Sequence, residues 1–173
     1  MERKIPTRCT VISYGDSSNG TEKKHLRIVD GQEELTLAVR PAEVRHRNFI
    51  LSTWVKSVMP TLRRLEKEFK NFGTSTEELL MEEVPIAEAL WEKSLVVTPE
   101  DDSFAVHAWI CGEPGKLHYA YVPPELRQKG IFTALTSHLC GPMYEYGRPW
   151  PFKRGPSNGR YNPYVLGKGT GGS

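Results

Sequence analysis

The chain has 173 residues, 38% of them hydrophobic and 25% charged, with a formal net charge of +2. That length suits one domain with a sizeable core, and the near balance of charge names no partner. Cys9, Cys111 and Cys140 are odd in number and have no paired spacing, so neither a disulfide framework nor a zinc motif is indicated and no metal site is expected.

In chain order, Cys9 to Tyr14 reads as a short strand and residues 15–21 as a polar loop. His25 to Val29 alternates weakly, and Asp30-Gly31 is a hairpin-turn dipeptide. Leu35 to Val39 alternates as a strand and ends in Arg40-Pro41-Ala42, with Pro41 suited to a first helical turn. Val44, Leu51, Trp54, Val55 and Val58 then share a helical face, and Pro60 is expected to end that helix. Leu62, Leu65 and Phe69 mark a second helix that stops near Gly73. Ser75 and Glu78 have capping-box spacing, and Pro85 is expected to interrupt the helix they open, before Ile86, Leu90 and Trp91.

The period then changes. Leu95 to Val97, Phe104 to Cys111 and Leu117 to Val122 read as three strands joined by turns at 99–102 and 112–115, an antiparallel meander. A helix follows over Phe132 to Leu139, with Gly141 as its C-cap. Residues 143–173 are rich in proline and glycine, with strand-like fragments only at Trp150 to Phe152 and Tyr164 to Leu166, and a tail expected to be disordered. The division expected is an N-terminal extension with a hairpin at 1–34, a core at 35–142, and an irregular basic and aromatic segment at 143–173. The opening residues 1–6 have no apolar leader pattern and no 18-residue apolar run exists, so the expectation is a cytoplasmic protein with no membrane segment.

The junction of the third meander strand and the last helix carries most of the chemistry. Tyr121 and Val122 close the strand. Leu126, Arg127, Gln128, Lys129 and Gly130 form a basic turn, and Ile131 and Phe132 open the helix. Unpaired amides and the positive dipole end make a helix start a site for anions, and a glycine there lets a ligand approach the backbone. The plain alternative is an ordinary strand-to-helix turn with surface cations.

This stretch resembles the acetyl-CoA pyrophosphate loop of the GNAT superfamily of N-acyltransferases. The family signature, Gln/Arg-x-x-Gly-x-Gly/Ala, falls on Arg127, Gly130 and Phe132. The first two positions match, and Phe132 departs. The order of strand, helices, meander, loop and helix over residues 35–140 also resembles that family. The resemblance implies an α/β (α+β) fold whose mixed, largely antiparallel sheet is flanked by helices. It implies acetyl-CoA as cofactor, held by Tyr121, Val122 and residues 126–132, and an amine acceptor of unnamed identity lined by residues 49–90. Compact, divergent chains of this kind occur in bacteriophage genomes, which this one resembles.

Acyl transfer to an amine needs a base and an acid. His118 on the third meander strand and His107 on the second are the candidate bases, and they become cross-strand neighbours if the intervening turn is tight. Alternation places His118 with Ala120 and Val122, opposite Tyr119 and Tyr121. Tyr144 is the first candidate acid. Glu125 is a further base candidate, and Tyr146, Tyr161 and Tyr164 are further acids. Residues 150–154 with Arg160 and Tyr161 interleave aromatics and cations, but the plainer reading is a tail packed on the domain, and nucleic acid is not expected. The rival function is a binding or virion-associated protein of the same fold that has lost acyl transfer. Phe132 and the shortened C-terminal part favour it.

Overall fold

The computed structural model describes residues 7–15, 22–68, 73, 75–146 and 159–161. These form a mixed α/β fold with eight strands in one sheet and three α-helices. The strands are β1 (Arg8–Gly15), β2 (Glu22–Asp30), β3 (Glu33–Pro41), β4 (Ser94–Thr98), β5 (Ala108–Glu113), β6 (Lys116–Tyr121), β7 (Tyr144–Tyr146) and β8 (Gly159–Tyr161). Their order across the sheet is their order in the chain. Pairing is antiparallel from β1 to β6 and parallel from β6 through β7 to β8. The helices are α1 (Arg47–Glu68), α2 (Thr76–Leu90) and α3 (Ile131–Cys140).

The β2–β3 turn uses Gly31 at φ +64°, the left-handed conformation that glycine adopts without steric cost. β3 runs further than expected. Pro41 is its last residue, opposite Leu95, and starts no helix. Val44 lies in a short 3-10 turn before α1 and is 79% exposed, so it belongs to no buried helical face.

Neither internal proline ends its helix. α1 passes through Pro60, and α2 passes through Pro85. A proline four residues on leaves the carbonyl of Lys56, or of Met81, without its helical partner. Lys56, Pro60, Met81 and Pro85 are all exposed, so each interrupted turn lies on the solvent side of its helix, while Trp54, Val58 and Leu62 hold the other side of α1 in the core. The capping box does form: Glu78 N–H donates to Ser75 Oγ at 3.1 Å, and Ser75 N–H to Glu78 Oε2 at 2.9 Å.

The sheet is covered on both faces. Trp54 and Ile50 of α1 and Ala87 of α2 pack with Val96, Trp109 and Cys111 on one side. Ile131, Leu135 and Cys140 of α3 pack with Leu26, Ile28, Leu37, Val39, Val97, Ala108 and Ile110 on the other. β5 therefore shows no alternation: Ala108 to Cys111 are all buried. It is shorter at its start than the sequence suggests. Asp102 Oδ1 accepts the amides of Phe104 and Ala105 at 2.9 and 3.3 Å, and this turn keeps Phe104 out of the strand.

α3 touches β1 and β2 as well as β5 and β6, so the sheet curls around it. Cys9 and Val11, two residues apart on β1, add to the α3-side core. The 34/35 boundary falls inside β3, and β1 and β2 extend the same sheet. β7 and β8 lie in the stretch expected to be irregular, while residues 150–152 and 164–166 fall outside the described residues.

Candidate functional site

The loop between β6 and α3 leaves the end of a central strand. Leu126 N–H donates to Pro123 O at 3.0 Å and Arg127 N–H to Pro124 O at 3.3 Å, which closes a 3-10 turn. Two left-handed residues follow, Gln128 at φ +62° and Gly130 at φ +79°. A non-glycine residue held there costs on the order of 1 kcal/mol, and such strain gathers at ligand-binding turns. A Cβ placed on Gly130 would lie 3.2 Å from Cys9 Cβ, so β1 backs the loop directly.

α3 starts at Ile131 with no side-chain cap and no acidic residue in its first turn. Its first amides therefore have no partner within the helix, and the positive end of its dipole is not offset there. Arg127 Nε donates to Val122 O at 2.9 Å, which fixes the guanidinium over the strand end. Neither Arg127 nor Lys129 forms an ion pair among the described residues. The arrangement can bind an anion with backbone donors and two cations.

The expected loop residues divide by role. Arg127, Gln128 and Gly130 are exposed, and Lys129 is half-buried. Ile131 is buried and joins the α3-side core. Leu126 and Phe132 pack against the α3-side core, which explains how a bulky residue is accommodated where the resembled family has a small one.

β6 carries an irregularity that strict alternation does not foresee. Cys111 pairs with Tyr119 but Gly112 pairs with Leu117, leaving His118 as an extra, bulged residue. Leu117, Ala120 and Val122 consequently join one core, and Tyr119 and Tyr121 the other. His118 does not share the setting of Ala120. It is 6% exposed, and neither ring nitrogen has a hydrogen-bond partner among the described residues. Its Nε2 lies 3.8 Å from Glu113 Oε1. Burial holds the imidazole below the ordinary histidine range, and the Glu113 charge pulls it upward, while Lys93 and Lys116 push it down. Glu113 accepts from Lys93 Nζ at 2.9 Å and lies 3.5 Å from Lys116 Nζ. The Lys93 hydrogen bond, chiefly, keeps its carboxyl below the usual range.

The other two candidates are elsewhere. His107 is exposed just before β5, and its N–H donates to Val97 O at 2.8 Å. The β5–β6 register puts it beyond the Trp109–Tyr121 pair, so His107 and His118 are not cross-strand neighbours. Tyr144 is 5% exposed within the α3-side core, where burial raises its phenol and a hydrogen bond with Thr136 partly offsets that. Its neighbour Glu145 pairs with Lys116 at the start of β6, the end away from the loop. At ~3.3 Å per residue, that is about 16 Å from the far end of the strand. Tyr146 follows on β7 and Glu125 is exposed in the 3-10 turn, while Tyr164 lies outside the described residues.

Between the sheet and α1 lies an aromatic slab. Trp54 stacks on Tyr119 and Trp109 at centroid distances of 5.0 and 5.6 Å, and Phe49 meets Tyr121 edge-on at 6.1 Å. Both indoles of the slab are satisfied: Trp54 Nε1–H donates to Glu83 Oε1 and Trp109 Nε1–H to Thr53 Oγ1, both at 2.8 Å. Tyr119 Oη and Ser57 Oγ share a hydrogen bond of 2.8 Å. The slab fixes the β6 residues that precede the loop.

Sequence reasoning missed Glu113. It reads as a hairpin residue, and only the bulge brings it to His118. Among the described residues no helix is long and apolar enough to cross a membrane. Compared with known proteins, the chain matches no family model, no curated protein and no solved structure.

Proposed function

We propose that this protein is an N-acyltransferase that moves an acetyl group from acetyl-CoA to an amine. The observation that carries the reading is the uncapped start of α3, entered through left-handed Gln128 and Gly130 and flanked by Arg127 and Lys129, neither of which forms an ion pair among the described residues. This is a place for a pyrophosphate, and it sits at the end of a central strand, as in the family the sequence resembles. The parallel β6–β7 pair on either side of α3 in the chain supports the same reading, because a helix crossover is how parallel neighbours are joined.

Calorimetry with acetyl-CoA and CoA tests it. The wild-type chain should bind both. Arg127→Glu should weaken binding by reversing a charge beside the phosphates, and Gly130→Val should abolish it with far-UV circular dichroism near that of wild type. At 100 times Kd, acetyl-CoA should add about 2.7 kcal/mol of stability. No binding by the wild-type chain would overturn the reading.

The interior positions of His118 and Tyr144 favour a second reading, a cofactor-binding protein of this kind without acyl transfer. CoA binding with no acetylation of any amine would establish that one.

A further inference from the structure

The acyl-transfer reading, on which this inference rests, leaves a proton to place. A protonated amine and acetyl-CoA give an amide, CoA and one proton. The ammonium gives one proton to a base before nitrogen attacks the carbonyl carbon. The C–S bond then breaks, and the second nitrogen proton goes to the departing thiolate. The base thus becomes a cation, and the first proton finally leaves to solvent.

His118 is the one neutral base on β6, four residues before Val122 closes the strand end, or about 13 Å at ~3.3 Å per residue. Both ring nitrogens are buried and the strand end is several water diameters away, so the proton reaches His118 along a relay of waters that enters with substrate, not by direct contact. As an imidazolium it would be a cation in a nearly closed site, which is costly unless a carboxylate faces it. Among the described residues one does: Glu113 Oε1, 3.8 Å from Nε2. The groups around the pair come from three elements: Lys93 from the 3-10 turn before β4, Glu113 from β5, and Lys116 from β6.

We propose that Glu113 is the positioning carboxylate of His118: it orients the ring across the β6 bulge and stabilises the imidazolium formed when His118 takes the acceptor's proton. Lys93 in turn fixes the Glu113 carboxylate by the 2.9 Å hydrogen bond. The gap of 3.8 Å closes as the ring becomes charged, since catalytic hydrogen bonds are often long before substrate is bound. The bulge makes the pair. Regular pairing would set His118 opposite Gly112, on the other face of the sheet from Cys111 and Glu113.

Two measurements on wild type, Glu113→Gln and Glu113→Asp test this. The first follows the His118 imidazole by NMR across pH 4–9, with no ligand. Removing the Glu113 charge should move its titration to lower pH, and Glu113→Asp should restore part of it. The second is the pH profile of kcat/KM with acetyl-CoA and a panel of spermidine, tyramine, an aminoglycoside and short peptides. The acid limb should move with the imidazole, and the plateau should fall by about 10-fold or more, a part of the ~10²–10⁴-fold that general-base catalysis contributes. An unmoved His118 titration overturns the pairing. A moved titration with an unmoved acid limb overturns the positioning role alone. If wild type acetylates no amine of the panel, acyl transfer and the base role fall together, while the NMR result still decides whether the pair exists.

Discussion

His118 shows how one residue escapes sequence reasoning. Alternation along Leu117 to Val122 gives it a face, and a single bulge changes that face. Nothing in the residue types marks the bulge, because its cause lies in the pairing with β5. Gly130 was legible for the opposite reason: a glycine before an apolar-periodic run is a local backbone signal, and the turn does use φ +79°. The burial of His118 has a consequence for stability. Its folded-state value lies below the ordinary 6.5, so the unfolded chain takes up a proton first as pH falls. Above pH 6.5 both states are neutral and the residue is indifferent. Below it, stability is lost until pH reaches the folded-state value. Glu113 acts in the other window: its depressed carboxyl stabilises above 4.5, and this is lost only below that. The urea midpoint of wild type should therefore fall between pH 7.5 and 5.5 more steeply than that of His118→Gln. Equal slopes would show that His118 burial is not the cause.

At the scale of elements, the meander, the capping box and the last helix were legible because each has a period or a cap that depends on near neighbours. The prolines were misread because their penalty competes with tertiary burial. A proline costs a helix interior about 3 kcal/mol. A helix that keeps Trp54 on one side of Pro60 and Leu62 on the other against the core has more to lose by breaking. Removing the misfit should therefore help. Pro60→Ala should raise stability by about 1–2 kcal/mol, after allowing for the greater freedom of the unfolded chain. A urea titration showing no gain would mean that the turn around Lys56 has already relaxed the strain. β7 and β8 were not legible at all, since three-residue strands among prolines and glycines carry no usable period.

At the scale of the molecule, the chain order of the strands makes the sheet, and the curl of that sheet around α3 makes the core. The sequence suggests the helices and the meander, but not that β1 and β2 close over α3, because that contact joins distant parts of the chain. Leu26, fully buried on β2, belongs to the same core as Leu135 of α3. Leu26→Ala should cost about 2–5 kcal/mol and shift one cooperative transition. Two separate transitions in the denaturation curve would instead show that the N-terminal strands unfold on their own. The closure also bears on how the protein is made. Leu26 and Ile28 leave the ribosome about 100 residues ahead of Ile131, a delay of ~5–20 s at ordinary elongation rates. For that interval the first hairpins are a sheet whose covering helix has not been synthesised, with an apolar face open to water. Nascent-chain aggregation and chaperone capture are therefore expected to peak before residues 131–140 emerge, and to end when α3 can dock.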